Sequence, residues 1–456
     1  TIHHSPFTSS PITLIGAGLV GSLLAVFLAK RGFRVEVYER RPDMRTAPAG
    51  AGRSINMAMS TRGIHALKQV GLDEEIMAMA IPLAGRTIHL VEGDMSFQPY
   101  GQKEEEVIYS VSRAELNKAL ITAAEKYEGV RFHFNERCTG VALRTGVVYV
   151  RDERTDHTRS IPLQQLIGTD GSASAVRTAL LSAGRFDISQ QYLDHGYKEL
   201  TIPPGPGGTF MLASNTLHIW PRGLYMLIAL PNPDGSFTCT LFFPHEGEYS
   251  FSSLSTPEKV LDFFSHQFSD AVPLIPNLAE AFFANPTGNL VTVKCFPWHY
   301  QNSILLMGDA AHAIVPFFGQ GMNCGFEDCT LLDECIEQYG PDWERIFEVF
   351  GKLRKENVDA IADMALTNYI EMRDRVTDPA FLLQAQAGLL LEQRYPDLFI
   401  PKYSMVSFHR LPYAEALRRA DIQESILQQL CASITSVEEI DWPSADRLIK
   451  ERLIKD

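Results

Sequence analysis

The sequence predicts an α/β fold in which a parallel sheet is joined by an antiparallel sheet and a helical C-terminal region. Three features of the 456-residue chain indicate this: a strand–helix–strand pattern near the N-terminus, short apolar runs between Pro/Gly turns in the middle, and helical periodicity towards the end. With 45% hydrophobic and 21% charged residues, the chain can bury a large core. Its length suggests about two to four structural units.

The strand–helix–strand pattern surrounds a glycine-rich turn. Residues 11–15 form a short apolar run, residues 19–31 repeat apolar side chains at helical spacing, and residues 33–39 alternate apolar and polar side chains. Between the first strand and the helix, Gly16-Ala17-Gly18-Leu19-Val20-Gly21 fits G-x-G-x-x-G, whose glycines permit a tight turn, close approach of a pyrophosphate and helix-on-sheet packing. Glu39 ends the second strand and is placed to accept hydrogen bonds from a ribose. The pattern predicts a dinucleotide-binding turn.

Two further aspartates follow predicted strands. Residues 166–168 lead into Thr169-Asp170-Gly171 and then into a helix, which by itself is common turn chemistry. Residues 305–307 lead into Gly308-Asp309, after which a Pro/Gly-rich loop feeds a helix that begins near Gly321. Asp309 is placed to accept hydrogen bonds from a polyol, and the start of the following helix would present N–H groups to an anion.

The middle and the end of the chain have a different character. Residues 217–220, 224–230 and 236–243 are β-rich runs separated by Pro/Gly turns, which predicts an antiparallel meander in a second domain inserted between parts of the first. Beyond Pro341 the apolar periodicity is helical nearly to the end.

Composition excludes several kinds of partner. The net charge is −14 and no cluster of Lys and Arg appears, which argues against a nucleic-acid partner. No apolar run reaches the roughly 18 residues that a membrane span needs. Seven cysteines are scattered without a C-x-x-C pair, so we expect no metal site and no disulfide scaffold.

The three motifs, in this order and spacing, resemble the FAD-dependent aromatic hydroxylases. The resemblance is closest to the branch of that family that hydroxylates L-kynurenine, and it covers residues from about 12 to about 420. It is carried by several specific segments: Gly52-Arg53-Ser54-Ile55-Asn56, His195-Gly196-Tyr197-Lys198-Glu199-Leu200, Leu217-His218-Ile219-Trp220-Pro221, residues 316–323, Asn368-Tyr369-Ile370-Glu371-Met372-Arg373, and Phe399-Ile400-Pro401-Lys402-Tyr403-Ser404-Met405-Val406.

The resemblance implies an organisation into domains. The fold class is α/β, with a Rossmann-like FAD-binding domain of aromatic hydroxylase type, an antiparallel β-sheet substrate domain and a helical C-terminal region. The FAD-binding domain is expected to be discontinuous and to comprise residues 1–75, 101–180 and 290–340. Residues 76–100 and 181–289 would form the substrate domain, and residues 341–456 the C-terminal helical region.

The resemblance also implies which residues hold the cofactors. FAD would be bound without a covalent bond, and NADPH would be a co-substrate that reduces it. The residues that match FAD positions of the family are Gly16, Gly18, Val20, Gly21, Tyr38, Glu39, Arg40, Arg41, Ala58, Arg113, Cys138, Asp170, Asp309, Gly321, Met322 and Asn323, with Pro316 and Gln320 near the flavin. Cys138 departs from the apolar residue common at its position, and a backbone contact is expected there.

For the substrate, the resemblance implies a carboxylate anchor. Arg86 and Tyr100 would bind the carboxylate of L-kynurenine, and Asn368 and Tyr403 would line the pocket. A guanidinium can bind a carboxylate bidentately and a Tyr hydroxyl can add a donor, so the two residue types suit this role.

The reaction implied is hydroxylation of L-kynurenine to 3-hydroxy-L-kynurenine with NADPH and O2, through a flavin hydroperoxide, in tryptophan degradation. The aniline nitrogen activates the ring, so no protein acid or base is assigned, and His312 is interpreted as a structural residue. Two alternatives stay open at this point: a related hydroxylase acting on a phenol or benzoate, and a flavoprotein without monooxygenase activity. Mitochondrial members of the family carry C-terminal membrane-anchoring helices, whereas residues 421–456 carry charges throughout, so the resemblance implies the bacterial, cytoplasmic form. The sequence leaves the oligomeric state open, a homodimer included.

Overall fold

The structure is a computed structural model that describes residues 10–46, 56–375 and 378–454. Of the segments that carry the resemblance, Gly52-Arg53-Ser54-Ile55 lies outside the described residues. Contacts between Cα atoms divide the chain into two compact units. The first unit comprises Thr1–Ala80, Val111–Leu193 and Val291–Ala362, and the second comprises Ile81–Ser110, Asp194–Leu290 and Asp363–Asp456.

The described residues form nineteen strands and fourteen α-helices. The strands are β1 Ile12–Ile15, β2 Val35–Glu39, β3 Asn56–Met59, β4 Ile81–Leu83, β5 Gly85–His89, β6 Met95–Pro99, β7 Ile108–Ser112, β8 Val130–Phe134, β9 Glu136–Ala142, β10 Val147–Asp152, β11 Thr158–Pro162, β12 Leu166–Gly168, β13 Asp187–Ile202, β14 Thr216–Pro221, β15 Met226–Pro231, β16 Phe237–Pro244, β17 Gly288–Phe296, β18 His299–Tyr300 and β19 Ile304–Leu306. The helices are α1 Leu19–Lys30, α2 Thr61–Val70, α3 Asp73–Met77, α4 Arg113–Glu125, α5 Ala175–Leu180, α6 Pro257–Gln267, α7 Leu278–Ala284, α8 Asp309–His312, α9 Gly321–Tyr339, α10 Trp343–Ile370, α11 Pro379–Arg394, α12 Lys402–Ser407, α13 Tyr413–Cys431 and α14 Trp442–Leu453.

A six-stranded sheet is the centre of the first unit. Its order is β18-β19-β12-β1-β2-β8, and every pair except the antiparallel edge strand β18 is parallel. Strands β1 and β12 are buried along their whole length and are mostly apolar, as parallel strands covered on both faces require. Helix α1 is buried along nearly its whole length, because it packs between this sheet and the helices α4 and α9.

The second unit is built on a seven-stranded sheet in the order β17-β13-β16-β15-β14-β5-β6. Strands β14, β15 and β16 pair antiparallel, as predicted, while β5 pairs parallel to β14. An aromatic core lies between one face of the sheet and helices α6 and α7, including Trp220, Phe243 and Phe264. A smaller apolar cluster joins α11, α13 and α14.

This architecture confirms the predicted α/β fold class. It contains a largely parallel sheet, a largely antiparallel sheet and a helical C-terminal region. The contacts group the C-terminal helices from residue 363 onwards with the antiparallel sheet, whereas the sequence suggested a separate region from residue 341. Within the described ranges, none of the helices has both the length and the apolar composition needed to cross a bilayer.

Candidate functional site

The carboxyl ends of four neighbouring parallel strands meet at one edge of the sheet in the first unit. Ile15 of β1 pairs with Gly168 of β12 on one side and with Tyr38 of β2 on the other, and Gly168 pairs with Leu306 of β19. The glycine turn, the Asp-Gly turn and the Gly-Asp turn therefore follow the sheet at the same edge. In open α/β sheets this edge is where ligands bind.

The three motif glycines differ in how much space surrounds them. Gly16 has φ +106°, and a Cβ there would overlap the Thr169 carbonyl, while a Cβ on Gly21 would overlap the carbonyl oxygen of Gly16. A Cβ on Gly18 would meet no atom within 4 Å. Two glycines are thus needed for packing, and the third leaves open space at the start of α1.

The same turn offers unpaired N–H groups. Ser22 donates the first hydrogen bond of α1, to Gly18 at 2.9 Å, and no side chain caps the helix. The peptide N–H groups of Leu19, Val20 and Gly21 have no acceptor within the helix, because each precedes the first helical hydrogen bond. Backbone donors beside open space fit a pyrophosphate.

Glu39 is buried at the end of β2 and accepts three hydrogen bonds. The Ala17 N–H donates to Oε2 at 2.9 Å, and the backbone N–H and guanidinium of Arg41 donate to Oε1 at 3.0 and 2.8 Å. Burial acts to raise the pKa of Glu39, but the contacts with Arg41 and Ala17 outweigh it and lower the pKa below its usual value. Glu39 is therefore an ionised acceptor next to the glycine turn.

The neighbours of Glu39 differ in exposure. Tyr38 is buried and its ring stacks on His133, with ring centroids 4.6 Å apart, and Arg40 and Arg41 are exposed. The pKa of Tyr38 is raised, chiefly by burial, so its hydroxyl stays neutral.

Asp309 is the first residue of the one-turn helix α8 and is exposed. It follows Gly308, whose φ of +57° favours glycine. Among the residues the structure describes, none donates a hydrogen bond to the Asp309 carboxylate. An exposed acceptor without an internal partner suits the hydroxyl groups of a polyol.

Helix α9 begins at Gly321, as predicted, and its first hydrogen bond runs from Cys324 to Gln320 at 2.8 Å. The N–H groups of Gly321, Met322 and Asn323 thus have no acceptor within the helix. The Asn323 side chain is already engaged: its Nδ2 donates to Ala58 and Gly319 carbonyls, and its Oδ1 accepts from the Ser60 N–H. Any ligand contact at Asn323 is expected to use the backbone.

The remaining predicted cofactor residues lie in several elements of the first unit. Val20 and Ala58 are half-buried, Pro316 begins a 3-10 turn before α9, and Gln320 is buried at the N-cap of α9. Arg113 is exposed at the first position of α4, whose N-cap is Ser112.

The Asp170 carboxylate forms hydrogen bonds within the protein, and the Cys138 side chain is buried. Oδ1 of Asp170 accepts from the Ser174 hydroxyl at 2.5 Å, and Oδ2 accepts from the N–H groups of Ala175 and Val176, so the carboxylate caps α5. Burial raises the pKa of Asp170 and raises that of the Cys138 thiol to about 12. Contact of either residue with a cofactor stays a prediction.

In the second unit, Arg86 lies against two tyrosines. The Arg86 guanidinium carbon is 5.5 Å from the centroid of the Tyr100 ring and 5.3 Å from that of Tyr403, and the two rings stack at 4.8 Å. Burial raises the pKa of both tyrosines, so both hydroxyls are neutral donors at pH 7. Within the described part of the chain, no Asp or Glu forms an ion pair with Arg86.

Asn368, near the end of α10, is buried with only 3% of its surface exposed. Its Nδ2 contacts the Met372 sulfur at 3.4 Å, at the start of a π-helical turn over Glu371–Arg375. Lys402, next to Tyr403, pairs with Glu371 at 2.7 Å and so connects α12 to this turn. The resemblance implies that Asn368 lines the substrate pocket, and its contact with a substrate stays a prediction.

A buried charge network in the first unit was not predicted from the sequence. The His312 ring is hydrogen-bonded to Asp328 at 2.6 Å, Arg354 donates to Asp328 at 2.7 Å, and Arg354 and Arg62 both pair with Glu327. His312 thus forms a buried ion pair with Asp328, which agrees with its interpretation as a structural residue. The sequence contains one hint of this network, the acidic pair Glu327-Asp328 in the middle of a predicted helix. If such residues are buried, they are almost always paired with a positive charge.

Three atoms of this network lie as close together as metal ligands would. Atoms of His312, Cys324 and Asp328 are within 4.8 Å of one another. The Arg354 guanidinium already contacts Asp328 and, at 3.1 Å, the Cys324 sulfur. Because that positive charge occupies the cluster, we do not propose a metal ion there.

Comparison with known sequences adds two findings. Residues 9–190 and 294–337 match the family model described as FAD binding domain. The chain is 52% identical to the kynurenine 3-monooxygenase of Myxococcus xanthus, over 97% of this chain and 95% of that protein. It is 46% identical to the kynurenine 3-monooxygenase of Flavobacterium johnsoniae, over 98% of this chain and 100% of that protein.

Among solved structures, the chain is similar in fold to the tetrameric form of 2-methyl-3-hydroxypyridine-5-carboxylic acid oxygenase. The TM-score is 0.65 at 17% identity, covering 82% of this chain and 96% of the oxygenase. The p-nitrophenol 4-monooxygenase of Pseudomonas putida matches with a TM-score of 0.63 at 15% identity, covering 92% of this chain and 97% of that one. At these identities the likeness supports the fold alone.

Proposed function

The chain belongs to the kynurenine 3-monooxygenase family, and on this premise we propose that it hydroxylates L-kynurenine to 3-hydroxy-L-kynurenine with NADPH and O2. It is an FAD-dependent monooxygenase, as the resemblance of its motifs implied. The observation that carries the substrate assignment is Arg86, a cation held by two tyrosines without an acidic partner among the described residues.

The residues of the first unit fit FAD. The unpaired N–H groups at the start of α1 and the open space over Gly18 would hold the pyrophosphate, and Glu39 would accept from the adenosine ribose. Asp309 would accept from the ribityl chain, and the N–H groups of α9 would face the flavin ring. When bound, FAD takes electrons from NADPH and activates O2.

In the second unit, the proposed task of Arg86 is to hold the substrate carboxylate. A guanidinium forms charge-assisted, bidentate hydrogen bonds with a carboxylate, and these orient the molecule as well as bind it. The neutral Tyr100 hydroxyl adds a donor, and the Tyr403 ring and the buried Asn368 amide form the rest of the proposed pocket.

We assign no acid or base to the hydroxylation. The amino group on the kynurenine ring donates electrons to the ring carbon beside it, so this carbon is nucleophilic without deprotonation by the protein. The chain must supply orientation of the ring and exclusion of water, and a fixed anchor at the carboxylate would provide the orientation.

The decisive experiment measures NADPH oxidation by the FAD-loaded protein with and without L-kynurenine and identifies the product by mass. We expect L-kynurenine to stimulate oxidation and to gain one oxygen atom. Salicylate and the decarboxylated kynurenine analogue are the matched comparisons. Stimulation and hydroxylation of salicylate but not of kynurenine would identify a different aromatic acid as the substrate, and NADPH consumption without any hydroxylated product would contradict monooxygenase activity.

A further inference from the structure

The turn that carries Asp309 is attached at both ends to one carboxylate. Asp328, in the middle of α9, accepts from the Gly308 N–H at 3.0 Å through Oδ2. The same oxygen is hydrogen-bonded to the His312 ring at 2.6 Å. Gly308 is the N-cap of α8 and His312 is its last residue, so a single oxygen holds both ends of a four-residue helix.

The second carboxylate oxygen of Asp328, Oδ1, is also hydrogen-bonded. Arg354 of α10 donates from Nε to Oδ1 at 2.7 Å, and its other nitrogens reach Glu327 and the Cys324 carbonyl. Asp328 and Arg354 have 0% and 1% of their surface exposed. A buried carboxylate with this many charge-assisted bonds has very little positional freedom.

This geometry has a consequence for the two segments proposed to contact FAD on the carboxyl side of the sheet. Asp328 belongs to α9, whose first turn carries the unpaired N–H groups of Gly321, Met322 and Asn323. Through Gly308 and His312 it also holds the segment that begins with Asp309. One side chain therefore fixes the Asp309 turn relative to the helix that starts at Gly321.

We propose that Asp328 is a positioning residue for FAD, which presets the Gly308–Asp309 turn against α9 before the cofactor arrives. The proposal rests on the proposed function, because it concerns how FAD is held. Asp328 is not expected to touch FAD itself. A preset turn lowers the entropy that binding would otherwise lose by ordering the turn, and so raises cofactor affinity.

Asp328→Asn is the direct test, with Glu327→Gln as the matched control. An Asn can direct its oxygen to Gly308 or to Arg354 but not to both, since its other atom is a donor. Glu327→Gln makes the same charge change one residue away and creates the same conflict between Arg62 and Arg354, yet Glu327 makes no contact with Gly308 or His312 among the described residues. Both variants should lose thermal stability as apoproteins, and Asp328→Asn should lose more, because Asp328 makes the additional contacts with Gly308 and His312.

The measurement is the FAD dissociation constant, obtained by titrating apoprotein and following flavin fluorescence. We expect Asp328→Asn to weaken FAD binding by roughly tenfold to a hundredfold relative to Glu327→Gln, which is the range for one stranded buried group. The visible absorption spectrum of the flavin should change in Asp328→Asn and not in the control. Equal dissociation constants for the two variants would overturn the proposal, whereas failure of the wild-type apoprotein to bind FAD would contradict the proposed function instead.

A second measurement covers the case in which Asp328→Asn does not fold. Hydrogen exchange of the wild-type apoprotein should show the Gly308 amide protected to a degree close to that of the amides of β19, because its hydrogen bond to Asp328 exists without FAD. Rapid exchange of Gly308 in the apoprotein, slowed only when FAD is added, would show that the turn is not preset and would overturn the proposal.

Discussion

At the scale of single residues, the positive charges of Arg86 and His312 differ in whether an acidic side chain of the protein neutralises them. Arg86 is half-buried, rests against Tyr100 and Tyr403, and has no acidic partner among the described residues. His312 is buried and forms an ion pair with Asp328 inside a network that is closed by Arg354. The first charge is available to a ligand, and the second is committed to the fold.

Arg86→Met should weaken L-kynurenine binding by roughly two to three orders of magnitude. Loss of one partner from a buried charge-assisted pair costs about 3–5 kcal/mol, because the other charge is left without compensation. Titration of the FAD-loaded protein with L-kynurenine, followed by the change in flavin absorbance, measures the effect. FAD content should be unchanged, since Arg86 lies in the second unit and the proposed FAD residues lie in the first.

Two controls separate charge from shape at this position. Arg86→Lys should recover only part of the affinity, because an ammonium group cannot form the bidentate contact. The decarboxylated analogue should bind wild type and Arg86→Met about equally. If Arg86→Met bound L-kynurenine as wild type does, the carboxylate anchor would have to lie elsewhere.

His312 should make the stability of the apoprotein depend on pH. Burial acts to lower the pKa of His312, but the Asp328 carboxylate outweighs it and raises the pKa to about 10, above the unfolded value of about 6.5. The stabilisation is therefore fully present below pH of about 6.5 and is lost as pH rises towards 10. Melting temperatures of wild type and His312→Gln should differ most near pH 6.5 and converge towards pH 10. A difference that is constant over this range would show that the ring is not charged in the folded protein.

At the scale of elements, the turn between β1 and α1 contains one glycine that is needed for packing and another that leaves space for a ligand. Gly21 has no room for a side chain, because a Cβ there would overlap the Gly16 carbonyl, whereas a Cβ on Gly18 meets open space. The motif predicts that the second glycine lets a pyrophosphate approach and that the third allows close packing of the helix on the sheet. The space that the structure leaves at the two positions is consistent with this division of tasks.

Gly18→Ala and Gly21→Ala should therefore fail in different ways. Gly18→Ala should keep the melting temperature of the apoprotein within a few degrees of wild type but lose FAD affinity, because the methyl group enters the space proposed for the pyrophosphate. Gly21→Ala should lower the melting temperature of the apoprotein itself, because overpacking costs about 1–3 kcal/mol. Differential scanning calorimetry and FAD titration of both apoproteins make the comparison. Unchanged FAD affinity in Gly18→Ala would place the pyrophosphate elsewhere.

Elements defined by local patterns were predictable from the sequence. The strand–helix–strand unit with its glycine turn was visible, because apolar periodicity and glycine placement act over about twenty residues. The start of α9 at Gly321 and the antiparallel strands β14 to β16 followed from turn residues in the same way.

Contacts between distant parts of the chain were not predictable. Arg62 pairs with Glu327 across 265 positions and Arg354 with Asp328 across 26, and no local pattern reports such a pairing. Helix α9 is buried from Met322 to Thr330 but carries the exposed Glu334 and Glu337 in its second half, so acidic residues by themselves do not show that Glu327 and Asp328 are buried. For the same reason the sequence could not show that the Asn323 side chain is engaged with β3.

At the scale of the whole molecule, the proposed cofactor and substrate residues belong to different units. All the proposed FAD residues lie in the first unit, whereas Arg86, Tyr100, Asn368 and Tyr403 lie in the second. Each unit has a sheet of its own, so each ligand should stabilise its own unit. A ligand that binds only the folded state stabilises it by about 2.7 kcal/mol at a hundred times its dissociation constant.

Hydrogen exchange measured with one ligand at a time should therefore give two separate footprints. FAD should slow exchange in the turn after β1, in α8 and in the first turn of α9, because opening these segments would break its contacts. L-kynurenine added to the FAD-loaded protein should slow exchange further in β5 and α12, which carry Arg86 and Tyr403. The strands β10 and β11 and the helix α14 carry no proposed ligand residue and serve as internal controls. Kynurenine protection that is confined to the first unit, or that is equal in α14 and α12, would exclude the Arg86 cluster as the substrate site while leaving the FAD assignment intact.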